Sequence, residues 1–219
     1  MSNRIRAIAI ASIIGAMVLS FFNSQEPEKK IYNALDQFYT QQLDWSGCYE
    51  NFECTELTVP INYKNIKAGT FQISVLRYKA QDPARRLGAI IVNPGGPGAS
   101  GVDYAYNAEY LFDPDLTDRY DIVGFDPRGV SRSEPIICLS DEETDANYAA
   151  DSKPDTDAEF EQAIIDSKDF LAKCEANTPH LTAYSTANAA RDMDILRAAL
   201  GEKKLNYMGK SYGTFMGAL

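Results

Sequence analysis

Five residues near the end of this 219-residue chain, Gly209-Lys210-Ser211-Tyr212-Gly213, constrain its folding more than any others. An apolar segment, Leu205-Asn206-Tyr207-Met208, precedes them, and the small-residue stretch Thr214-Phe215-Met216-Gly217-Ala218 follows. That order predicts a strand, a sharp turn and a helix. A serine on so tight a turn leaves no space for side chains at its flanks, which is why glycine stands on both sides. The serine oxygen then stands exposed above the sheet, with the positive end of the next helix behind it. A chain built this way also needs an Asp or Glu and then a His after the serine, and residues 212–219 contain neither.

A second glycine-rich segment, Asn93-Pro94-Gly95-Gly96-Pro97-Gly98, directly follows the continuous apolar run Ala89-Ile90-Ile91-Val92. Its glycines let backbone N–H groups turn toward one point, as stabilisation of a developing oxyanion requires. Tyr120-Asp121-Ile122-Val123-Gly124-Phe125 is another such run, and both suit the buried centre of a parallel sheet. Leu57, Val59 and Ile61 alternate, as do Phe71, Ile73 and Val75, which predicts an antiparallel edge pair. Ser185 or Thr186 caps a helix running to Leu200, with Ala189, Ala190, Met193, Leu196 and Leu200 as its core stripe and Gly201 as the residue that ends it. Residues 31–45 predict a short amphipathic helix with Ile31, Leu35, Phe38 and Tyr39 on one face. Strand and helix in alternation predict an α/β fold with right-handed crossovers.

Charge and cysteine usage bound the setting. A formal net charge of −10 argues against a nucleic-acid partner. Arg4 and Arg6 ahead of the apolar residues 7–22 predict an export signal over residues 1–24, or else an uncleaved anchor, which would be the chain's one contact with a membrane. Removing those two arginines takes the balance to −12. Residues 25–44 then form a polar linker and the short helix. Four cysteines in an exported chain predict disulfides, and their spacing fits no zinc pattern. Of the three possible pairings, Cys48 with Cys54 and Cys138 with Cys174 each close one local excursion. The second pair brackets an insertion over about residues 138–178, where residues 141–161 hold nine acids against the single base Lys153 and read as solvated.

Several polar residues invite a chemical reading. Asp126 and Arg128 follow a strand's C-terminal end, where an arginine fork can pin a loop through carboxylate and carbonyl contacts, so both are assigned a structural role. Asp192 and Asp194 lie on the helix before the turn and are expected to be solvated or capping. Lys210 is the variable residue of the motif. His180, the chain's one histidine, precedes the serine and is expected at the surface or behind the site rather than as its base.

Taken together, the chain resembles the tripeptidyl-aminopeptidase-like branch of the proline iminopeptidase family, within the α/β-hydrolase fold. The resemblance is carried by Cys54-Thr55-Glu56-Leu57-Thr58-Val59-Pro60-Ile61-Asn62-Tyr63, residues 93–101, Gly124-Phe125-Asp126-Pro127-Arg128-Gly129-Val130-Ser131-Arg132-Ser133, Thr186-Ala187-Asn188-Ala189-Ala190-Arg191-Asp192-Met193-Asp194 and the serine turn. It spans most of residues 45–219 and implies a mostly parallel sheet, here truncated after the nucleophile elbow. It further implies that Ser211 is the nucleophile and that the backbone N–H groups of Gly96 and Tyr212 hold the oxyanion. Pro94 stands where the family's loop usually has a histidine, an exchange that leaves backbone donors intact.

The activity so implied is that of an exported, secreted or envelope serine exopeptidase acting on peptide N-termini, needing neither metal nor organic cofactor. An esterase or amidase of the same fold, and a non-catalytic remnant, are the alternatives. Because an enzyme of this kind loses about a million-fold in kcat without its base, residues 1–219 alone are expected to be inactive, aggregation-prone and the front portion of a longer enzyme.

Overall fold

The computed structural model describes residues 34–219. The export signal over residues 1–24 and the start of the linker lie outside the described residues. Six strands form one sheet: β1 (Ser46–Tyr49), β2 (Phe52–Pro60), β3 (Thr70–Tyr78), β4 (Gly88–Asn93), β5 (Tyr120–Phe125) and β6 (Tyr207–Gly209), in the order β1-β2-β3-β5-β4-β6. The first three pair antiparallel and β3 pairs antiparallel with β5, whereas β4 lies parallel to both β5 and β6. Strands β2, β4, β5 and β6 therefore run one way and β1 and β3 the other. This is the mixed sheet of an α/β-hydrolase, with the expected antiparallel pair leading into the parallel strands.

Both faces of the sheet are covered, which is why β4 and β5 read as continuous apolar runs. On one face Leu57, Ile73, Ile91, Val123 and Phe125 pack with Met193, Ile195 and Leu196 of α7 (Thr186–Ala199) and Met216 of α8 (Tyr212–Ala218). On the other, Leu76, Val92 and Ile122 meet Val102 and Ala105 of α2 (Gly101–Tyr106), together with Ala108 of α3 (Ala108–Leu111) and Phe112. Glycine lets α2 lie this close. A Cβ on Gly124 would land on the carbonyl oxygen of Gly101, and one on Gly101 would land on that of Phe125.

The helix expected over residues 31–45 is one turn among the described residues, α1 (Asp36–Tyr39). Thr40 closes it, and Gln41 then turns to the sheet instead of continuing the helix. Its side-chain amide donates to the Thr58 carbonyl at 2.9 Å and accepts from the Thr58 N–H at 2.9 Å, so it completes the edge of β2. Helix α7 matches expectation closely. Ser185 accepts from the Asn188 N–H, and Gly201 takes the left-handed φ of 76° that ends the helix.

Both cysteine pairs form as expected, Cys48–Cys54 and Cys138–Cys174. The first links β1 to β2. The second closes an insertion that is largely helical. Its helices α5 (Asp141–Ala149) and α6 (Asp157–Asn177) each begin with a capping box, Ser140 with Glu143 and Thr156 with Glu159. Its carboxylates are exposed, as the acidic composition predicts. No helix of the described residues is long and apolar enough to cross a membrane.

Candidate active site

Strands β4 and β6 are parallel neighbours in register at Asn93 and Gly209, so the two glycine-rich turns leave the sheet side by side. The Lys210 N–H donates to the Asn93 carbonyl at 3.0 Å, extending the ladder one step into the serine turn. Asn93, 1% exposed, anchors the junction: its side-chain oxygen accepts from the Gly95 N–H at 2.9 Å. Tyr207 adds a second strut by donating its hydroxyl proton to the Gly213 carbonyl at 2.8 Å, and burial pushes this phenol up to about 12.

The motif's glycines are sterically required. A Cβ on Gly209 would lie 2.6 Å from the Gly213 carbonyl carbon, and one on Gly213 would lie 2.8 Å from the Asn93 side-chain oxygen. Between them Ser211 adopts φ 51° and ψ −123°, a strained backbone for a non-glycine residue and the hallmark of an elbow. Ser211 is exposed and its hydroxyl makes no hydrogen bond among the described residues.

The Asn93–Gly98 loop closes directly on this turn. A Cβ on Gly95, at φ 100°, would sit 2.5 Å from the Lys210 carbonyl oxygen, 3.0 Å from the Ser211 Cβ and 3.2 Å from the Tyr212 nitrogen. Gly96 has φ 109°. Among the described residues, neither its N–H nor that of Tyr212 is taken by a hydrogen bond, and the latter is a first-turn donor that helix geometry leaves unpaired. A cleft of about 340 Å³ opens beside them, lined by Gly95, Pro97, Ile136, Tyr184, Ala189 and Tyr212.

Asp126 and Arg128 are structural, as expected. Buried Asp126 accepts from the Ser100 hydroxyl (2.5 Å), the Val102 N–H (3.2 Å) and Arg132 (3.2 Å), which ties the start of α2 to the loop after β5. Arg128 donates to Asp192 through two nitrogens at 2.7 and 2.6 Å and to the carbonyls of Ile61, Ala183 and Pro60 at 3.0–3.1 Å. All five guanidinium N–H groups are thereby used.

Asp192 corrects the reading that placed it in solvent. It is 1% exposed, and it also accepts from the Tyr63 hydroxyl at 2.6 Å. Burial pushes its carboxyl upward, opposed by the Arg128 fork and the Tyr63 proton. The signal was present in the sequence: Asp192 is three residues after Ala189 and four before Leu196, on the apolar stripe itself. Asp194 is half-exposed, taking hydrogen bonds from Arg197 and Tyr39. His180 is exposed and borders a different cavity from the cleft beside Ser211.

Residues 88–219 match the alpha/beta hydrolase fold family. A tripeptidyl aminopeptidase of Streptomyces coelicolor is 36% identical over 190 residues, covering 81% of this chain and 35% of that protein. Serine protease Hip1 of Mycobacterium tuberculosis is 34% identical over 191 residues, covering 81% of this chain and 36% of its own length. Carboxylesterase B of Mycobacterium tuberculosis is 37% identical over 174 residues, covering 72% and 32%. The chain thus spans about a third of the length of the curated relatives it matches. With its mixed sheet, its serine elbow and the glycine loop beside it, the chain belongs to the alpha/beta hydrolase family and is similar there to serine peptidases.

Proposed function

We propose that the protein is an exported serine exopeptidase that releases short peptides or single residues from peptide N-termini. Ser211 attacks the scissile carbonyl and forms an acyl-enzyme. The N–H groups of Gly96 and Tyr212 hold the oxyanion, each such donor being worth about 3–4 kcal/mol in serine hydrolases. The observation that supports this reading is the close approach of Gly95 to Ser211 and Tyr212, which brings the glycine loop against an exposed serine whose hydroxyl has no hydrogen-bond partner among the described residues. Residues 34–219 bring no general base to the elbow, since His180 borders another cavity. Two disulfides support the exported setting.

The relatives' names support peptidase chemistry, and the carboxylesterase among them favours a second reading, hydrolysis of esters on the same site. Turnover of aminoacyl-arylamides with free and blocked N-termini by a full-length, active form, set against simple aryl esters, separates the two. The exopeptidase reading requires a clear preference for free N-termini, and preference for blocked amides or esters contradicts it. Ser211→Ala must abolish turnover in either case.

A further inference from the structure

A cavity of about 700 Å³ bordered by the described residues is distinct from the cleft beside Ser211. It lies against α1, the turn after β2 and the face of α7 that carries Asn188 and Arg191, whereas Ala189 of the same helix borders the serine cleft. Its size falls within the range of small-molecule sites.

The chemistry of its lining is one-sided. Lys64, Arg191 and His180 all border it, and among the described residues no carboxylate does, in a chain with 31 acids against 21 lysines and arginines. Lys64 and Arg191 form no ion pair among the described residues. Two side-chain oxygens of the lining are already engaged: that of Asn62 takes the Lys64 N–H at 2.8 Å, and that of Asn188 takes Arg191 at 2.8 Å. Lys64 and Arg191 supply its positive charge. Two tyrosines form part of the wall. Tyr39 and Tyr63 border the cavity and are fixed by donating their hydroxyl protons to Asp194 and Asp192, and Arg191 lies 5.6 Å from the Tyr63 ring centre. Beneath them the Asp192 charge is spent on Arg128.

We propose that this cavity is a second binding site, separate from the catalytic one, for a small aromatic anion. The anionic head sits between Lys64 and Arg191, and the planar body lies against Tyr39 and Tyr63. Cationic nitrogens supply strong, charge-assisted hydrogen bonds to such a head, and the phenol rings supply the apolar contact.

The test is calorimetric titration of the protein with benzoate and with benzamide, its neutral counterpart. Benzoate is expected to bind saturably, and benzamide at least about tenfold more weakly, the size of one lost charge-assisted hydrogen bond. Lys64→Gln and Arg191→Gln are each expected to weaken benzoate by about tenfold, while Ser211→Ala binds it as the parent does. Absence of saturable benzoate binding, equal binding of benzamide, or unchanged affinity in Lys64→Gln overturns the proposal. Lys64 is exposed on a turn, so its variant decides the matter even if Arg191→Gln fails to fold. Because binding is read without turnover, this outcome is independent of the peptidase reading.

Discussion

Arg128 and Asp192, 64 residues apart in the sequence, meet through a two-pronged ion pair of 2.6 and 2.7 Å whose side chains are 1% and 0% exposed. The pair joins the loop after β5 to α7. Through the carbonyls of Pro60, Ile61 and Ala183, it also joins both to the end of β2 and to the segment before α7. Removing one partner strands a buried charge. Asp192→Asn is therefore expected to cost about 3–5 kcal/mol, read as a lower denaturant midpoint. Arg128→Met with Asp192→Leu should cost less than either single change, because the double variant leaves no unpaired charge.

The contact of α2 with β5 depends on absent side chains. Gly124→Ala places a methyl on the Gly101 carbonyl, which is backbone and cannot step aside. A loss of about 3 kcal/mol is expected, at the upper end for overpacking. Chemical denaturation measures it, and Gly47→Ala, which meets nothing within 4 Å, is the neutral control.

Strain at the elbow makes a prediction of opposite sign. Ser211 has φ 51°, a conformation that glycine adopts freely. Ser211→Gly and Ser211→Ala should both lack hydrolytic activity, but the glycine variant should be the more stable by about 1 kcal/mol. Thermal unfolding of the two side by side gives the ordering, and equal midpoints would mean the turn is unstrained.

Glu53 and Arg77 are directly opposed across β2 and β3, and their ion pair is joined by Lys79. The Arg77 guanidinium, with help from Lys79, holds the Glu53 carboxyl below its ordinary value of 4.5. A depressed native value means the pair's contribution is fully present above pH 4.5 and is lost as the pH falls through the native value. Glu53→Gln should thus be less stable than the parent at pH 6, with the gap narrowing as the pH falls below 4.5. A gap that persists at low pH would show that Glu53 acts through packing instead.

Much of this arrangement is legible in the residues themselves. The apolar runs of β4 and β5 announce a sheet covered on both faces, and Gly209, Ser211 and Gly213 announce the elbow. Ser185 and Gly201 mark the ends of α7, because capping and left-handed turns depend on local chemistry alone. Asp192 lies on the apolar stripe of α7, but the partner that lets a carboxylate sit there, Arg128, is 64 residues away and is not revealed by helix periodicity. The helices of the insertion were masked by composition. Its capping boxes at Ser140 and Thr156 are local signals, whereas nine acids with few apolar residues among them leave no amphipathic stripe to mark the helices. Residues 34–45 form one turn rather than a longer helix because Gln41 finds its hydrogen bonds on Thr58, a choice made by tertiary structure.

The most direct test of the account is the site of covalent capture. A preparation that turns over peptide arylamides is treated with an aryl fluorophosphonate and mapped by peptide mass spectrometry. A single phosphonylated residue, Ser211, is expected, with labelling lost in Ser211→Ala. Capture of any other residue, or full turnover with Ser211 unmodified, would contradict it.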